Sequence, residues 1–491
     1  MLHDLDRLGP ELILMVAAGV ILAADAILPD ERRVRMGYGA LAGVGAAAIW
    51  ALVLVLRDRQ EAFFDGTMAL DNFSLFFIFL LLGAAALVVV ASLDYAPRFG
   101  RREGEFYTFL LLATSGAMLL AGSRDLIAIF VALELTSISQ YVLAGLLRTD
   151  RASEAGLKYL LLGAVATAVI LYGMALLFGI SGTTKLIAPE GEPSILATVA
   201  EGDANLRSAL IVAMTLLAAG FGFKMATAPF QMWVPDVYQG AATPVAAFLS
   251  VSSKAAAFAV VLRVFYDGLD DTFVSHDWSM LFAVLAAVTM TAGNAAALVQ
   301  RNVKRLLGYS SIAQAGNLMV GLAAVSAATD TSLGAAGVSF FLATYVFTNL
   351  GAFFAVQAIS DRIGSDEIAD YAGMARRAPW AAAALAFCLV SLTGIPPTAG
   401  FVAKVYIFNA AVQADLVWLV IVGVLNGVAS AFYYLRLAGV MYTAEPATEE
   451  PVPAAFTLRA ALAVAVAGVL IIGFVPFPLI DAAQRAARVF L

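Results

Sequence analysis

Charge is scarce in this sequence, and so are the residues from which redox and metal centres are built. Only 13% of the 491 residues are Asp, Glu, Lys or Arg, where a soluble domain carries about a quarter. The single cysteine, Cys388, excludes a disulfide framework and any cluster held by four thiolates. The only two histidines, His3 and His276, read as loop residues, whereas haem ligation in a membrane calls for histidines inside the spans. No Walker A sequence, HExxH or Cys cluster is present, so ATP hydrolysis and redox chemistry, where involved, come from elsewhere. GVGAAA at 43–48 matches the loose dinucleotide fingerprint, but it sits in an apolar run with no preceding strand, and close helix packing accounts for it.

In place of these, the chain is 62% hydrophobic, which no water-soluble globule accommodates. An all-α integral membrane protein is expected. Apolar runs bounded by charged or turn-rich segments predict about 14 transmembrane helices, near 11–28, 36–56, 73–93, 106–121, 125–147, 154–180, 208–240, 243–265, 278–299, 306–326, 333–358, 379–412, 416–441 and 459–480. The first lacks the flanks of a cleaved signal peptide and keeps Asp25 in its second half.

Lys and Arg prefer cytoplasmic loops. Of the 29 basic residues, fifteen fall in one alternate set of loops, around 32–35, 98–102, 148–151, 301–305 and 376–377 among others, and eight fall in the other set. The bias predicts a multi-pass membrane protein with both termini on the outer side and the 361–378 and 442–458 loops in the cytoplasm. Six basic residues remain inside the spans: Lys158, Lys224, Lys254, Lys404, Arg263 and Arg436. A lysine at a helix centre costs about 2.5–3.5 kcal/mol to insert, so such residues usually mark an ion path or a buried pair. Lys224, Lys254 and Lys404 lie too deep to snorkel. Lys158, about one turn in, can reach the interface, and Arg263 and Arg436 near helix ends are expected to do so. Glu134 lies mid-helix between leucines and must face protein or a wet cavity, and Glu154 precedes Lys158 by one helical turn, as a structural or a functional pair.

Segments 208–240 and 379–412 are too long for single straight spans. The first reads GFGFKMATAPFQMWVPDVYQG, with Pro229 following Lys224; the second reads SLTGIPPTAGFVAKVYIF, with Gly394, Pro396 and Pro397 preceding Lys404. Irregular backbone inside a membrane survives only where protein or a hydrated cavity covers it. Interrupted helices at matching places in two halves are the mark of a duplicated transporter core. The expected organisation is a three-helix segment at 1–105, two inverted five-helix units at 106–265 and 278–441, and a cytoplasmic loop and C-terminal helix at 442–491. Two kinked packing helices remain the alternative. Burial disfavours the charged form of an amine, so a chain Glu134, Lys158, Lys224, Lys254, Lys404 can pass protons by stepwise loading and release.

Several stretches carry a resemblance: FVALELTSISQYVLAGL (130–146), SEAGLKYLLLGAVATAVILYGMALLFGISGTT (153–184), FKMATAPFQMWVPDVYQGAATPVAAFLSVSSKAAAFA (223–259), KRLLGYSSIAQAGNLMVGL (304–322), TNLGAFF (348–354), GIPPTAGFVAK (394–404) and FYYLRL (432–437). Together they resemble the N-type subunits of bacterial proton-pumping NADH-quinone oxidoreductase, respiratory complex I. The resemblance covers about 124–441. It implies an antiporter-like membrane-arm subunit whose pumping residues are Glu134, Lys158, Lys224, Lys254 and Lys404. It implies no cofactor or metal in this chain, with FMN, iron-sulfur clusters and quinone held by partner subunits. The implied partners are the M-type antiporter-like subunit, the small membrane subunits and lipids, without nucleic acid. Lys404 favours the N-type over the M-type, which has glutamate there. Gln231 and Gln314 stand where the family often has histidine, and Ala242 replaces the proline of GAPT; glutamine bonds water but does not titrate. The implied function is to couple quinone reduction in partner subunits to outward proton pumping, with no redox centre here. A cation/proton antiporter and a scaffold whose buried charges only fix helix packing remain as alternatives.

Overall fold

A backbone surrounded by hydrocarbon has no water to pair with, so runs of Ala, Leu, Val and Ile close their own hydrogen bonds as helices. The computed structural model describes residues 2–27, 35–57, 61–189, 191–325, 332–446 and 448–491. Residues 28–34 and 58–60, with Arg32, Arg33 and Arg59 of the charge count, lie outside the described residues. From the N-terminus, α1 (Leu2–Arg7) leads into α2 (Gly9–Ile27), α3 (Arg35–Leu56), α4 (Asn72–Ser92), α5 (Glu103–Gly122), α6 (Leu126–Ala144) and α7 (Asp150–Ser181). Then come α8 (Ile195–Ala200), α9 (Arg207–Met225), α10 (Trp233–Gly240), α11 (Thr243–Leu262), α12 (Ser275–Leu298), α13 (Val303–Ala323) and α14 (Ser332–Ile363). The short α15 (Met374–Arg377) precedes α16 (Pro379–Thr393), α17 (Ala399–Gln413), α18 (Val417–Thr443), α19 (Phe456–Phe474) and α20 (Phe477–Ala487).

Twelve described helices are long and apolar enough to cross a bilayer. Two of the fourteen predicted segments fall short of that measure. α13 carries Ser310, Ser311, Gln314 and Asn317 along its middle, and 379–412 is split into the two short halves α16 and α17. The fold is not purely helical either. Glu61–Phe63 pairs antiparallel with Met68–Leu70 around a turn in which Phe64, Asp65 and Gly66 all have positive φ, and the Asp-Gly dipeptide is its signal in the sequence. His3 and His276 lie in α1 and in the first turn of α12 rather than in loops. The run 459–480 is divided at Val475–Pro476, so that α20 is a separate helix.

α11 and α14 form the centre of the bundle: the α11 span is wholly enclosed, whereas α2, α3, α7, α12, α18 and α19 present rows of apolar side chains outward. Close approach uses small residues, as membrane packing requires. A Cβ on Gly293 of α12 would lie 2.7 Å from the Ala313 nitrogen of α13, and one on Gly316 of α13 would lie 2.7 Å from the Met290 nitrogen of α12.

One end of the bundle is pinned by a buried charge network. Asp71 caps α4, accepting from the Ser74 N–H while Ser74 Oγ accepts from its own. Both its oxygens also accept from Nη2 of Arg263, at 2.7 and 2.8 Å. Arg263 stands on the π-helical turn Arg263–Asp267 that ends α11, and its remaining donors reach Asp267 (3.2 Å) and the Ala121 carbonyl of α5 (2.9 Å). Arg124 completes the quartet, bonding Asp267 at 3.1 Å and Asp71 at 3.2 Å. The Arg263 guanidinium lies over the Phe73 ring, 4.6 Å from its centroid, and is fully buried. The expectation that it snorkels is therefore wrong: it points inward, because two carboxylates and a helix-end carbonyl supply the partners that water otherwise would. Burial pushes the Asp71 carboxyl up, but Arg263, Arg124 and the Ser74 N–H more than offset this and hold it below its ordinary value. Arg436, by contrast, stays exposed and donates to the Leu298 and Gln300 carbonyls at the end of α12.

Removing one partner of a buried pair leaves the other uncompensated, which costs about 3–5 kcal/mol. Arg263→Met is expected to reduce thermal stability by that order, and Asp71→Asn/Arg263→Met, which removes one charge of each sign and leaves Arg124 paired with Asp267, to regain a large part of it. Melting of the purified wild-type and variant proteins measures both. The Asp71 contribution is fully present above about pH 4 and is lost only as the pH falls through the lower folded value.

Candidate functional site

Both proline-rich breaks free backbone groups that must find partners inside the bundle. At the first, α9 ends on Ala226 in the left-handed conformation (φ 65°). The Gly222 carbonyl then accepts from the Thr227 N–H at 2.8 Å, the Phe223 carbonyl from Trp233 Nε1 at 2.9 Å, and the Ala228 N–H donates to Thr289 Oγ1 at 3.0 Å. Pro229 follows and α10 resumes at Trp233. At the second, α16 ends on Gly394 (φ 89°), Pro396 and Pro397 follow, and the Gly400 N–H that opens α17 donates to Ser391 Oγ at 3.1 Å. The Ala228–Pro229 and Pro396–Pro397 bonds are both cis.

The three deep lysines are held by neutral partners. Lys224, in the last turn of α9, donates to Ser137 Oγ (2.6 Å) and Tyr141 OH (3.1 Å) of α6, with its ammonium 5.0 Å from the Tyr141 ring centroid. Lys254 of α11 donates to Ser311 Oγ of α13 at 2.7 Å, and the Tyr345 hydroxyl of α14 donates to the same oxygen at 2.9 Å. Lys404 of α17 folds back onto the broken end of α16, donating to the carbonyls of Leu392 (3.1 Å) and Thr393 (2.8 Å). They are 6%, 1% and 9% exposed, and among the described residues none is within ion-pair distance of a carboxylate.

Side chains on α13 connect the second and third lysines. Ser311 takes Lys254; its neighbour Ser310 bonds Tyr434 OH of α18 at 2.5 Å; and Gln314, one turn on, donates to the Leu392 carbonyl (2.9 Å) that Lys404 also uses. Beside Lys224 lies a cavity of about 10 Å³, lined also by Thr136, Ser137, Gln140 and Ser253, the residue before Lys254. That is room for about one water, and the buried Gln140 Nε2 that borders it has no hydrogen-bond partner among the described residues.

Glu134 and Lys158 occupy a different setting. Glu134 is half-buried and accepts from Thr167 Oγ1 at 3.0 Å. Lys158 is substantially exposed along the flank of α7 and bonds Glu154 at 2.7 Å and Asp236 at 2.8 Å. Asp236 in turn meets Arg305 at 2.6 Å, and these groups line a recess of about 310 Å³. The expected Glu154–Lys158 pair is present, whereas Asp236 and Arg305 are residues that a count of basic groups inside the spans passes over. Asp236 is an acid in the PDVYQG run, and Arg305 reads as a loop residue. Gln231 is half-buried, and its Oε1 finds no partner among the described residues. Cys388 is buried and free, and among the described residues no group of three His, Cys, Asp or Glu side chains is placed to hold a metal.

The transmembrane family described as NADH:quinone oxidoreductase/Mrp antiporter matches residues 123–430. The chain is 42% identical over 489 residues to NADH-quinone oxidoreductase subunit N of Dehalococcoides mccartyi, covering 99% of this chain and 100% of that one. It is 45% identical to NADH-quinone oxidoreductase subunit N 2 of Roseiflexus castenholzii, with 95% and 93% covered. Among solved structures, a chain of respiratory complex I from Thermus thermophilus superposes with a TM-score of 0.79 at 34% identity, with 96% of this chain and 98% of that one covered.

A Cβ on Gly394 would lie 2.9 Å from Lys404 Cδ, on backbone that L-residues adopt at a cost of roughly 1–2 kcal/mol. Gly394→Ala should thus lower the melting temperature and displace the Lys404 side chain. Wild-type melting together with wild-type turnover would show that the break tolerates a side chain.

Proposed function

The chain belongs to the NADH:quinone oxidoreductase/Mrp antiporter family, as an N-type subunit of NADH-quinone oxidoreductase, and we propose that Lys224, Lys254 and Lys404 form its proton path. It is an antiporter-like, proton-translocating subunit of an oxidoreductase complex. The observation that carries the path is the partner chemistry: three buried amines rest on hydroxyls and carbonyls, so neither protonation state requires an ion pair to be pulled apart. Ser310, Ser311, Gln314 and Tyr434 lie between Lys254 and Lys404, Ser137 and Tyr141 adjoin Lys224, and hydroxyls both donate and accept. Glu134 and Lys158 enter from the flank, where Lys158 shares Asp236 with Arg305. A change in charge at this cluster shifts the field at the buried lysines, and this is how a neighbouring subunit's state is communicated inward.

The fourteen-helix, inverted-repeat reading is supported by matching contacts. α5 packs on α6 as α12 packs on α13, and α7 packs on the broken α9/α10 as α14 packs on the broken α16/α17. The five-helix units are then 106–265 and 278–441, with 1–105 and 442–491 outside them. Interloop ion pairs join segments that the charge count puts on one side: Lys185 with Asp65 and Arg207 with Asp277 at one face, Arg98 with Asp361 and Lys304 with Asp366 at the other. The less basic face, which holds both termini, is outward, and pumping is toward it. The M-type and small membrane subunits are its neighbours in the membrane arm, and FMN, iron-sulfur clusters and quinone are held by partner subunits.

Lys224→Ala in the intact complex, reconstituted in vesicles, tests the path. Quinone reduction and proton uptake are expected to fall together, by tenfold or more, in a complex that still assembles. Unchanged electron flow with unchanged protons per electron would instead make Lys224 a packing residue. Asp236→Asn frees Lys158 and Arg305 from their shared anion, and a fall to less than half of wild-type coupled turnover is expected, with the Lys158→Met/Asp236→Asn pair no worse than either single variant. Additive losses would place the two residues on separate paths.

A further inference from the structure

An apolar groove of about 660 Å³ runs down the outside of the bundle, walled by α4, α14, α19 and α20. Phe76, Phe79 and Leu87 of α4, Phe347 of α14 and Val464 of α19 line it, and the polar lining residues are Asn72 and Arg485. Asn72 opens α4 and Arg485 lies in the last turn of α20, so the groove is apolar along its depth and cationic at its mouth. From Asn72 to Leu87 α4 rises roughly 22 Å at about 1.5 Å per residue, more than one leaflet of a hydrocarbon core about 30 Å thick. An apolar channel of that length with a cation among its lining residues matches an extended acyl chain and its headgroup.

We propose that this groove binds an anionic phospholipid, with an acyl chain laid against Phe76, Phe79 and Phe347 and the phosphate held by Arg485. The inference rests on the membrane reading above but not on the proton path. Arg485 is exposed, its Nε donates to the Asp481 carbonyl at 3.3 Å, and among the described residues it makes no ion pair, which leaves its terminal nitrogens for an anion. Guanidinium is the side chain whose planar donors match a phosphate two at a time. Leu479, Ala482 and Arg485 recur every three residues on one face of α20, so the face that closes the groove is the one that carries the charge. Gly83 keeps the groove open midway: a Cβ there would meet nothing within 4 Å.

The test uses the whole complex purified in mild detergent, with co-purifying phospholipids counted per complex by mass spectrometry. Gly83→Trp should lose about one phospholipid, and Arg485→Gln should retain a lipid with a smaller anionic fraction, both with wild-type assembly on native gels. Because a variant can fail to assemble, Phe79→p-benzoylphenylalanine in the otherwise wild-type complex supplies a second readout. Irradiation should add the mass of a phospholipid to this subunit. An adduct with a neighbouring polypeptide would make the groove a subunit interface. Either that result, no adduct at all, or an unchanged lipid complement in both substituted complexes overturns the proposal, while wild-type proton pumping in the variants leaves the lysine path unaffected.

Discussion

A peptide group stranded in hydrocarbon has to be bonded by protein, and much of this molecule's interior follows from meeting that demand at two broken helices. The two breaks meet it differently. At the first, an indole and two threonines take the freed groups at Phe223, Gly222 and Ala228, so Lys224 has no backbone duty and is left to hydroxyls. At the second, Lys404 is itself a partner of the exposed carbonyls, beside Gln314. Gln314, standing where the family often carries histidine, therefore keeps the Leu392 carbonyl satisfied whatever charge Lys404 bears.

Charged side chains here fall into two physical classes. Asp71, Arg124, Arg263 and Asp267 are locked by mutual ion pairs, two anions against two cations, and buried pairs of this kind fix geometry more than they add stability. Lys224, Lys254 and Lys404 are bound by neutral groups and so are free to change state. α11 carries one of each: Lys254 midway and Arg263 at its end, roughly 13 Å further along at about 1.5 Å per residue. The clamp anchors the helix, and the anchored helix holds the lysine against α13.

What is legible in the sequence is depth along a helix. Counting residues from the span ends places Lys224, Lys254 and Lys404 in the interior, and proline with glycine locates both interruptions. What it does not convey is which way a side chain turns once neighbours are in place. Arg263 sits near a helix end and reads as interfacial, yet the Asp71 that draws it inward is remote in the chain and looks like a loop residue. Lys158 falls within the central series by its position in the chain, but the helix that carries it is peripheral and its ion-pair network extends to α10 and α13. Ser310, Ser311 and Gln314 dilute the hydropathy of α13, yet its apolar run is legible as the span 306–326, and the helix is buried with these side chains set among the lysines' partners.

The clamp at the end of α11 also bears on how such a chain is made. Arg124 follows Asp71 by 53 residues, but Arg263 follows it by 192. At about 5–20 residues per second, Asp71 waits roughly 10–40 s for the guanidinium that grips both its oxygens. During that interval Asp71 has the Ser74 N–H and then Arg124 as partners, and Arg263 arrives with Asp267 one helical turn behind it. The tie between α4 and the end of α11 thus closes only once the eighth predicted span has been made.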